Sequence, residues 1–176
     1  FLFNQRIVKF IIMKYEIIEA KKSNFSEILS LNHKAMPAVS FMDEKSLNYF
    51  YSVSEYFKII NCGKENKIYG FLIGLTDRLS YQSENYLWFS KRYSSFMYVD
   101  RIVIQDDSLG LGLGSMLYND LIDYSKGKFQ NIICEYNIKP MNLISKNFHK
   151  KFGFKSVGKQ KTEGGTKEVL MMKYSL

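Results

Sequence analysis

The sequence predicts a single α/β domain, and three observations predict it. With 176 residues, 46% of them hydrophobic, the chain can bury one full core. Segments rich in β-branched and aromatic residues alternate with segments whose apolar residues recur at helical spacing. The two kinds meet in residues 98–124, YVDRIVIQDDSLGLGLGSMLYNDLIDY, where a strand leads through a glycine-rich loop into a helix.

Taken in order, residues 1–12 (FLFNQRIVKFII) are apolar and basic, but they are too short for a secretory signal and lack its small-residue cleavage site. Met13 opens MKYEIIEA in the manner of a natural start, so residues 1–12 are read as an N-terminal extension and 13–176 as the domain. Residues 15–20 read as a strand. Asn24 is then expected to cap a helix that turns Phe25, Ile28, Leu29 and Leu31 to the core and stops before Pro37. Asp43 opens a second short helix. YFKIINC and KIYGFLIGL read as two strands of a hairpin turning at residues 63–66.

Residues 81–96 carry Tyr81, Tyr86, Trp88, Phe89, Tyr93 and Phe96 with no clean period. A helical insertion that packs its rings on the domain accounts for them, and rings that wall a small-molecule pocket account for them too. Past the central stretch come a strand at 131–138 and a helix at 141–151. A closing hairpin follows, with Gly164 and Gly165 at its turn.

Composition narrows the function classes. No apolar run reaches the length of a membrane span. Cys62 and Cys134 sit singly in apolar settings, without metal-ligand spacing, and read as core thiols of a reducing cytoplasm. The net charge of +8 is concentrated beyond residue 138, where nine lysines face Glu163 and Glu168. Such a tail suits a polyphosphate ligand, an anionic surface or plain solvent. Nucleic acid is disfavoured, since no arginines interleave there and no known nucleic-acid-binding motif is present.

The chemistry lies in the central loop. Gly110, Gly112 and Gly114 alternate where the first amides of a helix lack partners. A backbone without β-carbons admits a ligand to hydrogen-bonding distance, and the helix dipole favours an anion there. The stretch is thus a candidate phosphate cradle. A Walker loop would need Lys and then Ser or Thr after the last glycine, yet Ser115 and Met116 follow Gly114. A dinucleotide fingerprint would need Gly or Ala at Ser115.

The pattern x-x-G-x-G-x-G-x-x-L after a strand resembles motif A of the GNAT superfamily of acetyl-coenzyme A N-acetyltransferases. Residues 142–154, NLISKNFHKKFGF, resemble its motif B, with Asn142, Ser145, Gly153 and Phe154 in the pattern's places. LNHKAMPAVS, YVDRIVI and CEYN extend the resemblance over most of the chain, to a bacterial subgroup with histidine in motif B. Two departures stand out. Leu109 occupies the place of an opening Arg or Gln, and His149 that of a tyrosine.

The resemblance implies a mixed, strongly twisted sheet of six or seven strands flanked by about four helices, opened between the strands of Asp100 and Glu135. It implies acetyl-CoA as co-substrate, with the pantetheine along Ile102, Val103 and Ile104 and the pyrophosphate on the amides of Leu109, Gly110, Leu111, Gly112, Leu113, Gly114 and Ser115. Asn142, Ser145 and Phe148 complete that set. No metal is implied. The implied reaction is acetyl transfer to a primary amine of a small-molecule acceptor, by direct attack in a ternary complex in the cytoplasm; a homodimer is left open.

Asp100 falls where many relatives carry a glutamate that deprotonates the amine. A carboxylate on a buried strand needs a partner or a task. Arg101 is a poor partner, because strand neighbours point to opposite faces. Glu135 is the reserve base. His149 is the candidate acid for the departing thiolate, since imidazole titrates at about 6.5. A coenzyme-A sensor without a working base and a basic nucleic-acid-binding module are the competing classes.

Overall fold

The computed structural model describes residues 14–63 and 67–176. The extension expected at residues 1–12, Met13 and residues 64–66 of the expected hairpin turn lie outside the described residues. Seven strands and five helices are described: β1 Tyr15–Glu19, α1 Phe25–Lys34, α2 Glu44–Val53, β2 Tyr56–Cys62, β3 Lys67–Thr76, α3 Glu84–Ser90, β4 Phe96–Ile104, α4 Leu113–Ser125, β5 Asn131–Lys139, α5 Leu143–Lys151, β6 Lys155–Thr162 and β7 Lys167–Ser175.

The strands form one mixed sheet in the order β1-β2-β3-β4-β5-β7-β6. β1, β2 and β3 pair antiparallel, β4 and β5 pair parallel, and β7 pairs antiparallel with both β5 and β6. The described residues fall into two compact units, one within Phe1–Gly74 and Arg101–Leu121, the other Leu75–Asp100 and Ile122–Leu176. Among them no helix is long and apolar enough to cross a membrane.

In the first unit, α1 buries Phe25, Ile28 and Leu31, as its spacing requires, while Leu29 stays half-buried. Asn24 precedes the helix but does not cap it with its side chain. A turn of 3-10 helix at Lys22–Asn24 comes first, and the Asn24 side-chain Oδ1 accepts instead from the Lys21 amide at 2.8 Å. Asp43 caps α2 as expected, accepting from the Ser46 amide at 2.7 Å, and the Ser46 side chain first and this amide second hold its carboxyl below the usual range.

Arg101 is only 6% exposed. Its guanidinium donates to Asn32 Oδ1 at 2.8 Å, to the Ser40 carbonyl at 3.1 Å and to Ser40 Oγ at 3.1 Å, and lies 5.2 Å from the Phe50 ring centre. The arginine thus braces the segment after α1, away from the face of Asp100, as strand alternation demands. Arg101→Leu keeps an apolar stem but strips a donor from the buried Asn32 Oδ1, and from two oxygens of the exposed Ser40. With one buried acceptor left bare, it is expected to cost about 1–3 kcal/mol, measured as a lowered urea midpoint.

In the second unit, α3 is a short helix capped by Ser83, whose Oγ accepts from the Tyr86 amide at 3.4 Å. Tyr86 and Phe89 are buried among Phe96 and Tyr98, with ring centres 5.5 to 6.1 Å apart. These rings of the aperiodic stretch are core. Trp88 lies against Gly158 of β6, where an added Cβ would come within 2.6 Å of the indole, so only glycine admits the ring.

Candidate active site

β4 is bound on its two faces by different chemistry. Tyr98 and Asp100 share a face through their spacing of two, and Val99 and Arg101 take the other. The registered pairs of β4 with β5 are Phe96 with Asn131, Met97 with Ile132 and Tyr98 with Ile133. Just past them stand Asp100 and Glu135, the two carboxylates expected to matter.

Both carboxylates are met by a phenol. The Tyr81 hydroxyl donates to Asp100 Oδ1 at 2.6 Å. The Tyr98 hydroxyl donates to Glu135 Oε1 at 2.9 Å, and Asn85 Nδ2 donates to the same oxygen at 2.9 Å. Asn85 is held in turn by Gln160, which donates to its Oδ1 at 3.0 Å. Burial raises the Tyr98 hydroxyl well above its ordinary pKa, and the charges of Glu135 and Asp100 push the same way. Tyr98 therefore stays a donor. A buried phenol and an amide thus meet Glu135, and the half-buried phenol of Tyr81 meets Asp100.

The second half of the candidate chemistry lies on α5. Asn142 begins this helix, and its Oδ1 accepts from the Ser145 amide at 3.0 Å. Gly153, at φ +83, closes it, with the Gly153 amide donating to the Lys150 carbonyl and the Phe154 amide to that of His149, each at 3.1 Å. The motif's terminal Gly-Phe is thus a helix stop. Phe154 is buried and meets the His149 ring edge-on at 5.3 Å.

His149 is 3% exposed. Its ring stacks on Tyr136 at 5.9 Å and meets Phe148 edge-on at 5.5 Å. Nδ1 lies 2.7 Å from the Ser145 carbonyl and 3.1 Å from Ser145 Oγ. A carbonyl only accepts, so Nδ1 carries a hydrogen in that bond. Burial lowers the imidazole's pKa, against a smaller opposing pull from the Ser145 carbonyl. Proton donation from Nε2 therefore requires the imidazolium.

The glycine loop belongs to the first unit. Gln105 is anchored by its amide to the Tyr69 carbonyl at 2.8 Å, and a tight turn follows in which Leu109 bonds Asp106 and Leu111 bonds Ser108. Gly110 and Gly112 take φ of +81 and +82, the left-handed region that favours glycine. An added Cβ at either would meet nothing within 4 Å, so open space borders the loop. The Met116 amide bonds the Gly112 carbonyl, leaving the amides of Leu113, Gly114 and Ser115 without an intrahelical acceptor.

Leu109 and Gly110 are exposed, Leu111 is half-buried, and Leu113 is buried as the first apolar anchor of α4. Ile102 and Ile104 are half-buried on β4, with Val103 buried between them. Among the described residues, the buried Ser108 Oγ beneath the loop has no hydrogen-bond partner, the kind of atom that a ligand or ordered water satisfies. The donor set is amides at a helix start, which fits a pyrophosphate.

Sequence reasoning did not single out Tyr98, Asn85 or Gln160. Tyr98 could have been found by the period-two rule from Asp100. Asn85 and Gln160 are far apart in the chain and carry no local signal.

A family model described as the acetyltransferase (GNAT) family matches residues 25–154. A search of curated proteins finds no match. Among solved structures, Ard1 from Thermoplasma volcanium superposes with a TM-score of 0.73 at 12% identity, covering 92% of this chain and 97% of that one. An acetyltransferase of the GNAT family from Streptococcus pneumoniae gives 0.68 at 19% identity, covering 93% and 100%. A ribosomal-protein-alanine N-acetyltransferase from Brucella melitensis gives 0.66 at 16% identity, covering 92% and 99%. At these identities the superpositions speak for the fold, and the seven-stranded mixed sheet is that fold.

Proposed function

This chain belongs to the GNAT family of acetyltransferases, whose co-substrate is acetyl-CoA, and we propose that it passes the acetyl group to a primary amine of a small-molecule acceptor by direct attack in a ternary complex. The observation that carries the reading is the pair of left-handed glycines at the start of α4, bordered by open space and by helix-start amides. That is the donor chemistry a pyrophosphate requires.

In this reading the loop from Leu109 to Ser115 holds the pyrophosphate, and the backbone of Ile102, Val103 and Ile104 pairs with the pantetheine as an added strand would. Asn142 and Ser145 serve by building α5, on which Phe148 offers a ring to the same ligand. Asp100 takes the proton from the incoming amine, directly or through water, and His149 as imidazolium gives one to the departing sulfur. Backbone amides meet the oxyanion. Glu135 is the reserve base. The domain is taken as residues 13–176, and the buried thiols of Cys62 and Cys134, neither of them in a disulfide, support a cytoplasmic setting.

The test is a thermal shift with acetyl-CoA, then thiol release across amines, amino acids and peptides, including an N-terminal alanine peptide of the kind named for the Brucella protein. Stabilisation by the coenzyme and thiol release with an amine is the expected result. Stabilisation without any acceptor in that screen would favour a coenzyme sensor, and a salt-dependent shift with DNA alone would favour nucleic acid. Gly112→Val supplies the control at the cradle. A β-branched residue at φ +82 costs about 1–2 kcal/mol and turns the amides off aim, so coenzyme affinity should drop about tenfold or more in calorimetry while the apoprotein stays folded. Unchanged affinity would remove the loop from the site.

A further inference from the structure

We infer that Tyr81 is a positioning residue of the acceptor site, its hydroxyl holding the Asp100 carboxylate in the orientation that faces the amine. This rests on the reading of Asp100 as the base. The contact itself is the short O–H···O⁻ bond of 2.6 Å from Tyr81 to Asp100 Oδ1, the range of a charge-assisted bond. A bond to Oδ1 restricts the carboxylate's rotation and so sets the direction in which it faces.

Tyr81 comes from the connection between β3 and α3, so its aim depends on how that connection is held. Tyr86, 1% exposed, is the post. Its hydroxyl donates to the Thr76 carbonyl at 2.7 Å and accepts from the Leu79 amide at 2.9 Å, and its ring meets that of Tyr81 edge-on at 5.5 Å. Past Tyr81, Ser83 starts α3 by accepting from the amide of the same Tyr86. One buried side chain therefore secures the connection on both sides of Tyr81. The parallel pair joins the buried Tyr98 to the half-buried Glu135 and is braced by Asn85. The two pairs divide the work: Tyr98 and Glu135 knit the strands, and Tyr81 orients the carboxylate that acts.

The test combines Tyr81→Phe, Asp100→Asn and the double variant with a spectroscopic reading that needs no activity. The Asp100 side-chain carboxyl carbon is assigned by NMR through its loss in Asp100→Asn. Its resonance should move in Tyr81→Phe. With a confirmed acceptor, Tyr81→Phe should lower kcat about tenfold, the size of one lost charge-assisted bond, with acceptor KM and coenzyme affinity within about twofold. In the Asp100→Asn background the same change should have no further effect, because Tyr81 acts through that carboxylate. A resonance that stays in place overturns the inference whatever the activity. So does an equal loss in both backgrounds, which would make Tyr81 act on its own. A moved resonance with a fully active Asp100→Asn overturns instead the reading of Asp100 as base, and leaves the bond between the two side chains standing.

Discussion

Asp100→Asn should lower kcat/KM for the amine by about a hundredfold or more at neutral pH, the range for loss of a positioned base. Asparagine matches the carboxylate in shape and still accepts from the Tyr81 hydroxyl, so the bond at 2.6 Å has a partner and the strand is undisturbed. What is lost is the ability to take a proton. A primary amine is mostly ammonium near neutrality, and attack on a thioester requires its lone pair. As pH rises, the neutral amine becomes abundant without help, so the deficit should shrink toward the alkaline side. Coenzyme affinity should stay within a few-fold. The measurement is thiol release against pH for both proteins with a confirmed acceptor. A deficit that is constant with pH would mean that Asp100 orients the acceptor but takes no proton, and an equal loss in Glu135→Gln would return the base role to the reserve residue.

Apart from α3, which lies in the aperiodic stretch, the strands and helices were legible in the chain because each carries its own local rule. β4 reads as a β-branched run, α4 as helical spacing after glycines, and the Asp43 cap as a side chain placed three residues before the amide it meets. Asn24 shows the limit of that rule. Its side chain had two amides in reach, one on each side, and a preceding turn of 3-10 helix settled it backward. The glycine loop was legible for the same reason as the strands: its backbone requirement is written in residue type. The surroundings of Asp100 and Glu135 were not. They depend on Tyr81, Asn85 and Gln160, which the chain brings together across separations of 19 to 75 residues, and no local pattern encodes a partner so far away. The motif around His149 was legible as a motif, but the burial of its ring was not, since sequence spacing does not state the depth of a position.

His149→Phe carries the other large effect, and its pH dependence separates an acid from a packing ring. Phenylalanine keeps the stack on Tyr136 and the edge contact with Phe154, and it loses the bond to the Ser145 carbonyl. An acid role runs through the imidazolium, because the Nδ1 hydrogen is already committed to that carbonyl. Burial lowers the pKa from the ordinary imidazole value of about 6.5, so the donor form is populated only on the acid side of that value. Turnover of the variant should therefore fall by about a hundredfold at low pH, with coenzyme affinity within a few-fold, and the gap should close as pH rises and the wild type loses its imidazolium. Stability supplies a second reading that needs no acceptor. With the folded pKa below the unfolded one, the unfolded chain binds the proton first; the contribution of the neutral ring is complete above about 6.5 and is lost as pH falls through the folded pKa. His149→Phe should flatten that acid slope of the unfolding free energy. A flattened slope together with turnover equal to wild type at every pH would show a buried neutral ring with no part in proton transfer, and the acid would have to be sought elsewhere.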